Sequence, residues 1–403
     1  MVCGQRVVIL GGGYAGLFAA ARLAPVVGKA SVTLVDARAE FTQRVRMHEL
    51  LAGRNLASAP YRELLEPQGI AFRQARVGRI DPGARRVALI DDGGAGEELS
   101  YDLLIIALGS VTGAPLPGVA EHAIRLNDPE EIRRAAARID MVAGRQGKML
   151  VIGGGLTGIE TVTELAESHP GLQLTLLTRG QLDADYSESG GAHIRSTLDR
   201  LGVRVVENAD VVEMEAGAAR LRDGVLPFDL AIWAGGFAPS PLGRESGLPV
   251  DAAGGIRVDE NLQVIGHPQI LVAGDSASFD AAWGHLRMGC VSASPMGAHA
   301  GENARRLLSG EMPEPFDFAF LIRCISLGRK EALVQRTAPD DRPIDRIYTG
   351  AIARLVKEGI CQGVFRVPQW ELKTGLRLLT HAKGSPQNDR TRLQRGVEWK
   401  PTI

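Results

Sequence analysis

The chain carries the glycine pattern G-x-G-x-x-G twice, at Gly11, Gly13 and Gly16 and again at Gly153, Gly155 and Gly158. Each copy follows a short apolar run (RVVIL at 6–10, KMLVI at 148–152) and opens a stretch with helical periodicity. A strand that feeds a tight glycine turn into a helix lets the backbone approach a pyrophosphate closely. The helix N-terminus then offers the phosphates unpaired N–H groups and a partial positive charge. One such motif is a weak signal. Two, a domain-length apart, point to a protein that holds two dinucleotides against each other.

The flanking pattern supports two βαβ units. Residues 14–26 read as the crossover helix of the first, and 31–35 (SVTLV) as its next strand, ending at Asp36, where an acid can bond a ribose hydroxyl. Two strands are expected within 70–90 around Asp81-Pro82-Gly83, then a buried strand over 101–108 (YDLLIIAL) closed by Gly109. The segment 113–118 (GAPLPG) reads as a crossing between units. The second unit is expected to hold helices near 129–145, 157–168 and 188–201, strands at 172–177 and 203–206, and a two-stranded stretch near 211–222. It closes with FDLAIW (228–233) and Ala234-Gly235-Gly236, which repeats YDLLIIALG and indicates an internal duplication. After 254 the first unit resumes, with a strand over 269–273 ending at Gly274-Asp275 and a small-residue helix over 294–308. From about Phe320 onward the pattern stops.

A chain of 403 residues with 45% apolar and 23% charged residues has room for two or three globular domains. Its net charge of -1 gives no electrostatic footprint for nucleic acid. Cys3, Cys290, Cys324 and Cys361 show neither a C-x-x-C pair nor metal-ligand spacing, so they read as small buried residues, and no metal is expected. No apolar run is long enough to span a bilayer and no basic leader precedes the first strand, so a cytoplasmic protein is expected, soluble or peripheral at the inner membrane face.

Read together, GGGYAGLFAA, YDLLIIALG, GGGLTGIE, IWAGG and ILVAGD resemble the two-dinucleotide flavoprotein disulfide-reductase superfamily. Within it, residues 6–335 are most similar to the type II NADH dehydrogenase (NADH:quinone oxidoreductase) family. The resemblance implies an α/β fold in which an FAD-binding Rossmann-like domain (1–115 and 255–319) is split by an inserted NAD(P)H-binding one (116–254). A C-terminal region (320–403) would pack on them, dimerise or touch a membrane. Carried over, Gly11, Gly13, Gly16 and Asp36 would hold the FAD pyrophosphate and adenosine ribose, with Val77 beside adenine. Ala107 and Gly109 would approach the cofactor, Asp275 its phosphates, and Arg44 would lie in the segment that passes the flavin. Gly153, Gly155, Gly158 and Gly235 would serve the nicotinamide coenzyme, and Glu160 would face the nicotinamide–flavin junction. On local grounds the lesser readings are Asp275 as a helix cap or turn former, a role that can coexist with the functional one, and Glu160 as a helix acid in a favourable field. His48 and His285 have no defined partner nearby in sequence.

The implied chemistry is hydride transfer from NADPH or NADH to FAD and onward to a small-molecule acceptor. Three departures qualify it. First, Thr178-Arg179-Gly180 stands where an NADH-selective unit commonly has a carboxylate, and Arg179 could grip a 2'-phosphate, so NADPH is the preferred reading. Second, against the family's A-Q-x-A-x-Q-x-G helix motif, Pro295 and His299 replace both glutamines, which weakens quinone reduction. An apolar acceptor pocket is expected near Trp283, Met288 and Cys290. Third, residues 349–367 place Ile352, Leu355, Val356, Ile360 and Val364 near helical spacing, but with two glycines and no aromatic anchors. The bland expectation there is a helix packed on the flavin domain or a partner subunit. The leading reading is thus a soluble reductase of a small molecule, with a membrane-peripheral NADH:quinone oxidoreductase and a slow-turnover redox sensor as alternatives.

Overall fold

A computed structural model describes residues 4–384 except 92, 95, 114–115 and 280–285. Cys3, Trp283, His285 and the chain beyond Gly384 lie outside the described residues. Two sheets form the frame, all parallel except for the antiparallel edge strand Gln263–Val264 of the first. The first runs Gln263–Val264, His267–Val272, Leu103–Ile106, Gln5–Leu10, Ala30–Asp36, Ala71–Gln74. The second runs Ile124–Arg125, Leu230–Trp233, Lys148–Ile152, Gln173–Leu177, Arg204–Val206. In each, the strand before the glycine motif sits centrally between its βαβ partner and the strand ending in small residues. Burial on both faces explains the unbroken apolar runs at 7–10 and 149–152. His267–Val272 pairs in parallel with Leu103–Ile106, so the chain re-enters the first sheet after completing the second.

The duplication extends further than the motifs. Each unit carries a three-stranded antiparallel sheet: Arg76–Asp81, Arg86–Ile90 and Gly96–Ser100 in one, Val211–Glu215, Ala218–Leu221 and Gly224–Pro227 in the other. Both have one strand more than the sequence pattern indicated. Helix Tyr14–Leu23 is wholly buried and is crossed by helix Cys290–Leu308, which begins a turn before the expected 294. A Cβ on Gly297 would lie 2.1 Å from the Ala15 carbonyl oxygen, and one on Gly301 2.7 Å from that of Ala19. The small-residue stripe therefore lets two helix backbones touch. His299 points away from this crossing, with Nε2 2.7 Å from the Glu314 carbonyl and its ring beside Phe316.

The region beyond 320 forms an antiparallel sheet (Ile322–Ser326, Ala332–Thr337, Pro343–Thr349) followed by helix Gly350–Thr374, which runs unbroken through Gly359 and Gly363. That helix packs on the first unit, and of the expected stripe Val364 lies against that core while the N-terminal members do not. Ala353, Cys361, Phe365 and Leu372 face inward, while Ile352 and Leu355, each 67% exposed, face out with Val356 and Trp370. Phe365 stacks on Phe41 at 5.7 Å. Arg22 and Glu371 form a buried ion pair at 2.6 Å, and the same carboxylate accepts the Leu378 and Leu379 N–H groups where the chain turns back. Among the described residues no helix is long and apolar enough to cross a membrane.

Candidate functional site

The two glycine turns superimpose in their chemistry. A Cβ on Gly16 would sit 1.8 Å from the Gly11 carbonyl oxygen, and one on Gly158 1.7 Å from that of Gly153. The third glycine of each motif is thus a packing requirement. A Cβ on Gly13 or Gly155 would meet nothing within 4 Å. At those positions the backbone borders open space at a helix N-terminus, the geometry a pyrophosphate needs. Gly11 and Gly153 have φ of +97° and +123° and press against Ala107 and Gly235 respectively, which places both of those residues at the turns.

Around the first turn, the Asp36 carboxylate closes the strand end, accepting the Gly12 N–H at 2.7 Å and the Arg38 N–H at 2.9 Å. Arg44 donates to the Ser110 carbonyl at 2.6 Å, the Ser110 hydroxyl donates to Asp275 at 2.6 Å, and the Gly289 N–H donates to Asp275 at 2.9 Å. Gly109, with Ser276 donating to its carbonyl, borders the same spot. Arg44, Gly109 and Asp275, distant in sequence, meet at the carboxyl ends of the first sheet's strands, where ligands of such sheets bind. Burial, reinforced by Arg38, holds the Arg44 guanidinium below its ordinary value despite Asp275. The half-buried guanidinium has donors to offer a phosphate group. Val77 lies on strand Arg76–Asp81, paired with Leu89. In the second unit, Thr178 is buried, its side chain 2.4 Å from where a Gly154 Cβ would be, and Arg179 is exposed at the strand end. These residues fit FAD at the first turn and a nicotinamide dinucleotide at the second.

Glu160 lies in the first half of helix Leu156–Ser168 and is 6% exposed. Its carboxylate accepts the Ser326 N–H at 3.0 Å and pairs with the Lys357 ammonium at 2.9 Å, and its other oxygen lies 3.8 Å from His48 Nδ1. Three parts of the chain meet here: the segment following Arg44, the second glycine helix, and the C-terminal helix. Burial would raise the Glu160 carboxyl, but Lys357, His48 and the Ser326 N–H outweigh it and hold it below the usual range. Burial opposes the charge on Lys357, yet Glu160 holds its ammonium well above the ordinary value. His48 is held below its usual value by burial, against the pull of Glu160 and Glu49. Further charge surrounds the core of the site. Glu49 joins Arg46 and Arg329, Glu164 joins Arg329 and Arg54, and Glu358 joins Arg46, at 2.7–3.1 Å.

The sequence supplied Glu160 but not its partners. His48 had none in view, and Lys357 lay off the stripe that hydropathy picked out. The signal was a second helical stripe, Ala353, Lys357, Cys361, Phe365 and Leu372, in which a lysine interrupts buried residues. Cys290, Cys324 and Cys361, dispersed in sequence, all lie within the electrostatic reach of Lys357. Burial pushes the Cys290 and Cys361 thiols up to about 12 and about 11, so they are neutral and poor nucleophiles. No group of three or more metal-ligating side chains occurs among the described residues.

Residues 5–303 match the family described as pyridine nucleotide-disulphide oxidoreductase. Demethylphylloquinone reductase of Synechocystis is 28% identical over 404 residues, covering 94% of this chain and 96% of the relative. An NADH dehydrogenase-like protein of Mycobacterium tuberculosis is 30% identical, covering 88% and 92%. In fold, the chain resembles the NDH2 of Plasmodium falciparum solved in complex with NADH, with a TM-score of 0.77 at 16% identity over 92% of this chain and 98% of that one. A duplicated dinucleotide turn, a split first sheet and these likenesses agree: the chain belongs to the pyridine nucleotide-disulphide oxidoreductase family, among its type II NADH dehydrogenase-like members, and is an NAD(P)H-dependent flavoprotein oxidoreductase.

Proposed function

We propose that the chain is an NAD(P)H:quinone oxidoreductase holding FAD at its first glycine turn. The observation that carries this reading is the buried Glu160–Lys357 pair with His48 beside it, at the junction of both nucleotide units and the C-terminal helix. A quinone takes up protons as well as electrons, and such a cluster can hold protons where water is excluded. The end-to-end likeness to a demethylphylloquinone reductase supports the same acceptor class. Of the two positions that depart from the glutamine motif, His299 is engaged with Glu314 and Phe316 and Pro295 is buried within its helix, so neither supplies the acceptor contact of that motif. When bound, FAD accepts a hydride from the reduced nicotinamide and relays the electrons. The protein's part is to hold both rings in register, with Gly11, Gly13, Asp36, Arg44 and Asp275 for one dinucleotide and Gly153, Gly155 and Gly235 for the other, while Gly16 and Gly158 pack each helix against its turn. Denaturation of the purified protein should release free FAD, and the anaerobic flavoprotein should be bleached by NAD(P)H and regain its colour on adding a soluble naphthoquinone. FMN, no flavin, or a bleached protein that the naphthoquinone leaves colourless would refute the proposal.

For the coenzyme, NADPH is the preferred partner. Thr178 presents no carboxylate to repel a 2'-phosphate, and Arg179 is exposed at the strand end where that phosphate would lie. Replacing Arg179 with alanine should lower kcat/KM for NADPH by roughly tenfold or more, the worth of one charge-assisted hydrogen bond, while leaving NADH nearly unchanged. The pair of changes Thr178→Glu and Arg179→Ala should reverse the preference by adding a repulsion as well as removing an attraction. Equal declines with both coenzymes would make Arg179 a structural loop residue.

A further inference from the structure

We propose that His48 is the proton-transfer residue of the acceptor half-reaction, with Glu160 as its counter-ion; this rests on the quinone reading above. His48 is 3% exposed, and its Nε2 atom is buried with no hydrogen-bond partner. Its Nδ1 faces the Glu160 carboxylate at 3.8 Å. An imidazole with one nitrogen toward a buried carboxylate and no hydrogen-bond partner on the other can take up and release a proton at that second nitrogen. It stands on helix Met47–Leu51, directly after the turn that carries Arg44 and packed against the second glycine helix.

The balance of the reaction requires such a group. NAD(P)H and a quinone give NAD(P)+ and a hydroquinone only if one proton is added. Two electrons and one hydrogen come from the nicotinamide, and the second hydrogen arrives as a proton on a quinone oxygen. His48 takes a proton at Nε2, its imidazolium is stabilised by Glu160, and the Nε2–H bond breaks as the new O–H bond forms. The charged and titratable groups that act on His48 are Glu160 and Glu164 from the second glycine helix, Glu49 from its own helix and Lys357 from the C-terminal helix. Burial and Lys357 oppose the imidazolium, and the three carboxylates favour it. The cation is therefore scarce at neutral pH but strongly acidic when formed.

The decisive comparison uses two acceptors. The His48→Gln holoenzyme, reduced anaerobically by NADPH, is reoxidised by a naphthoquinone or by ferricyanide, which takes electrons without protons. Quinone reoxidation should slow on the order of 100-fold and lose its pH dependence, whereas wild type slows as pH rises through neutrality. Ferricyanide reoxidation and reduction by NADPH should be unchanged. Slowing with both acceptors would overturn the proposal by showing that His48 only shapes the site, and slowing with neither would overturn its role altogether. A wild type that oxidises readily with ferricyanide but not with any quinone would instead sink the quinone reading. Imidazole NMR of the full chain gives an answer independent of turnover. The His48 titration should lie below the ordinary value of about 6.5, fall further in Glu160→Gln and rise in Lys357→Met. A titration indifferent to both substitutions would overturn the proposal.

Discussion

Gly155→Val is expected to leave the protein folded and yellow while abolishing rapid bleaching by NADPH or NADH. A Cβ at Gly155 meets no protein atom within 4 Å, so the branched side chain projects into the space where the coenzyme's pyrophosphate belongs. If this turn holds the coenzyme as proposed, excluding the pyrophosphate from its charge-assisted backbone hydrogen bonds should lower kcat/KM on the order of 100-fold or more. Gly158→Val, three residues on, should behave in the opposite way. Its Cβ would overlap the Gly153 carbonyl oxygen at 1.7 Å, inside the strand–helix contact of the second unit. Backbone cannot yield as a flexible side chain does, and the cost should be about 3 kcal/mol or more of stability. Stopped-flow bleaching and thermal unfolding of the two variants separate the roles. An unaltered bleaching rate in Gly155→Val would make the second motif a packing turn alone.

The same contrast shows what could be read from the sequence. Strand, turn and helix of each unit lie within a short stretch, and their glycines, apolar runs and acid at Asp36 are adjacent in the chain. Local chemistry therefore announces the duplicated fold and the cofactor cradles. The convergence of Arg44, Gly109 and Asp275 was accessible through resemblance and not through spacing, because the sheet's strand order brings together residues from its two separate stretches. The acid–lysine–histidine cluster was not legible. Glu160, Lys357 and His48 come from three elements, and their meeting depends on how the C-terminal helix is rotated. Hydropathy favoured the wrong rotation: Ile352, Leu355 and Val356 are more apolar than Ala353, Lys357 and Cys361, yet they face outward. The buried face wins through Phe365 on Phe41 and through the two ion pairs, Arg22–Glu371 and Lys357–Glu160, which no periodicity reveals.

Removing Lys357 tests how much of the molecule leans on that pairing. In Lys357→Met the Glu160 carboxylate keeps the Ser326 N–H but loses its ammonium partner in a site only 6% exposed, with His48 the titratable neighbour left at 3.8 Å. An uncompensated buried charge of this kind costs about 3–5 kcal/mol, a large part of a domain's stability. The double variant Glu160→Gln with Lys357→Met should recover most of that stability, since a neutral amide and a thioether need no mutual compensation. The pH dependence follows from the directions of the two shifts. Glu160 is lowered and Lys357 raised in the folded protein, so in wild type the pair contributes fully between the ordinary values of about 4.3 and 10.4. That contribution is lost as pH falls through the folded value of Glu160, and again as pH rises through that of Lys357. In the single variant the carboxyl has lost the ammonium that held it ionised, so a proton enters the Glu160–His48 pair as pH falls and the deficit against wild type should shrink on the acid side. Denaturant unfolding of the three proteins across pH measures this directly. A cost under about 1 kcal/mol for Lys357→Met, or a double variant as unstable as the sum of the singles, would show that the pair is solvated and that the C-terminal helix is held by its apolar packing and Arg22–Glu371 alone.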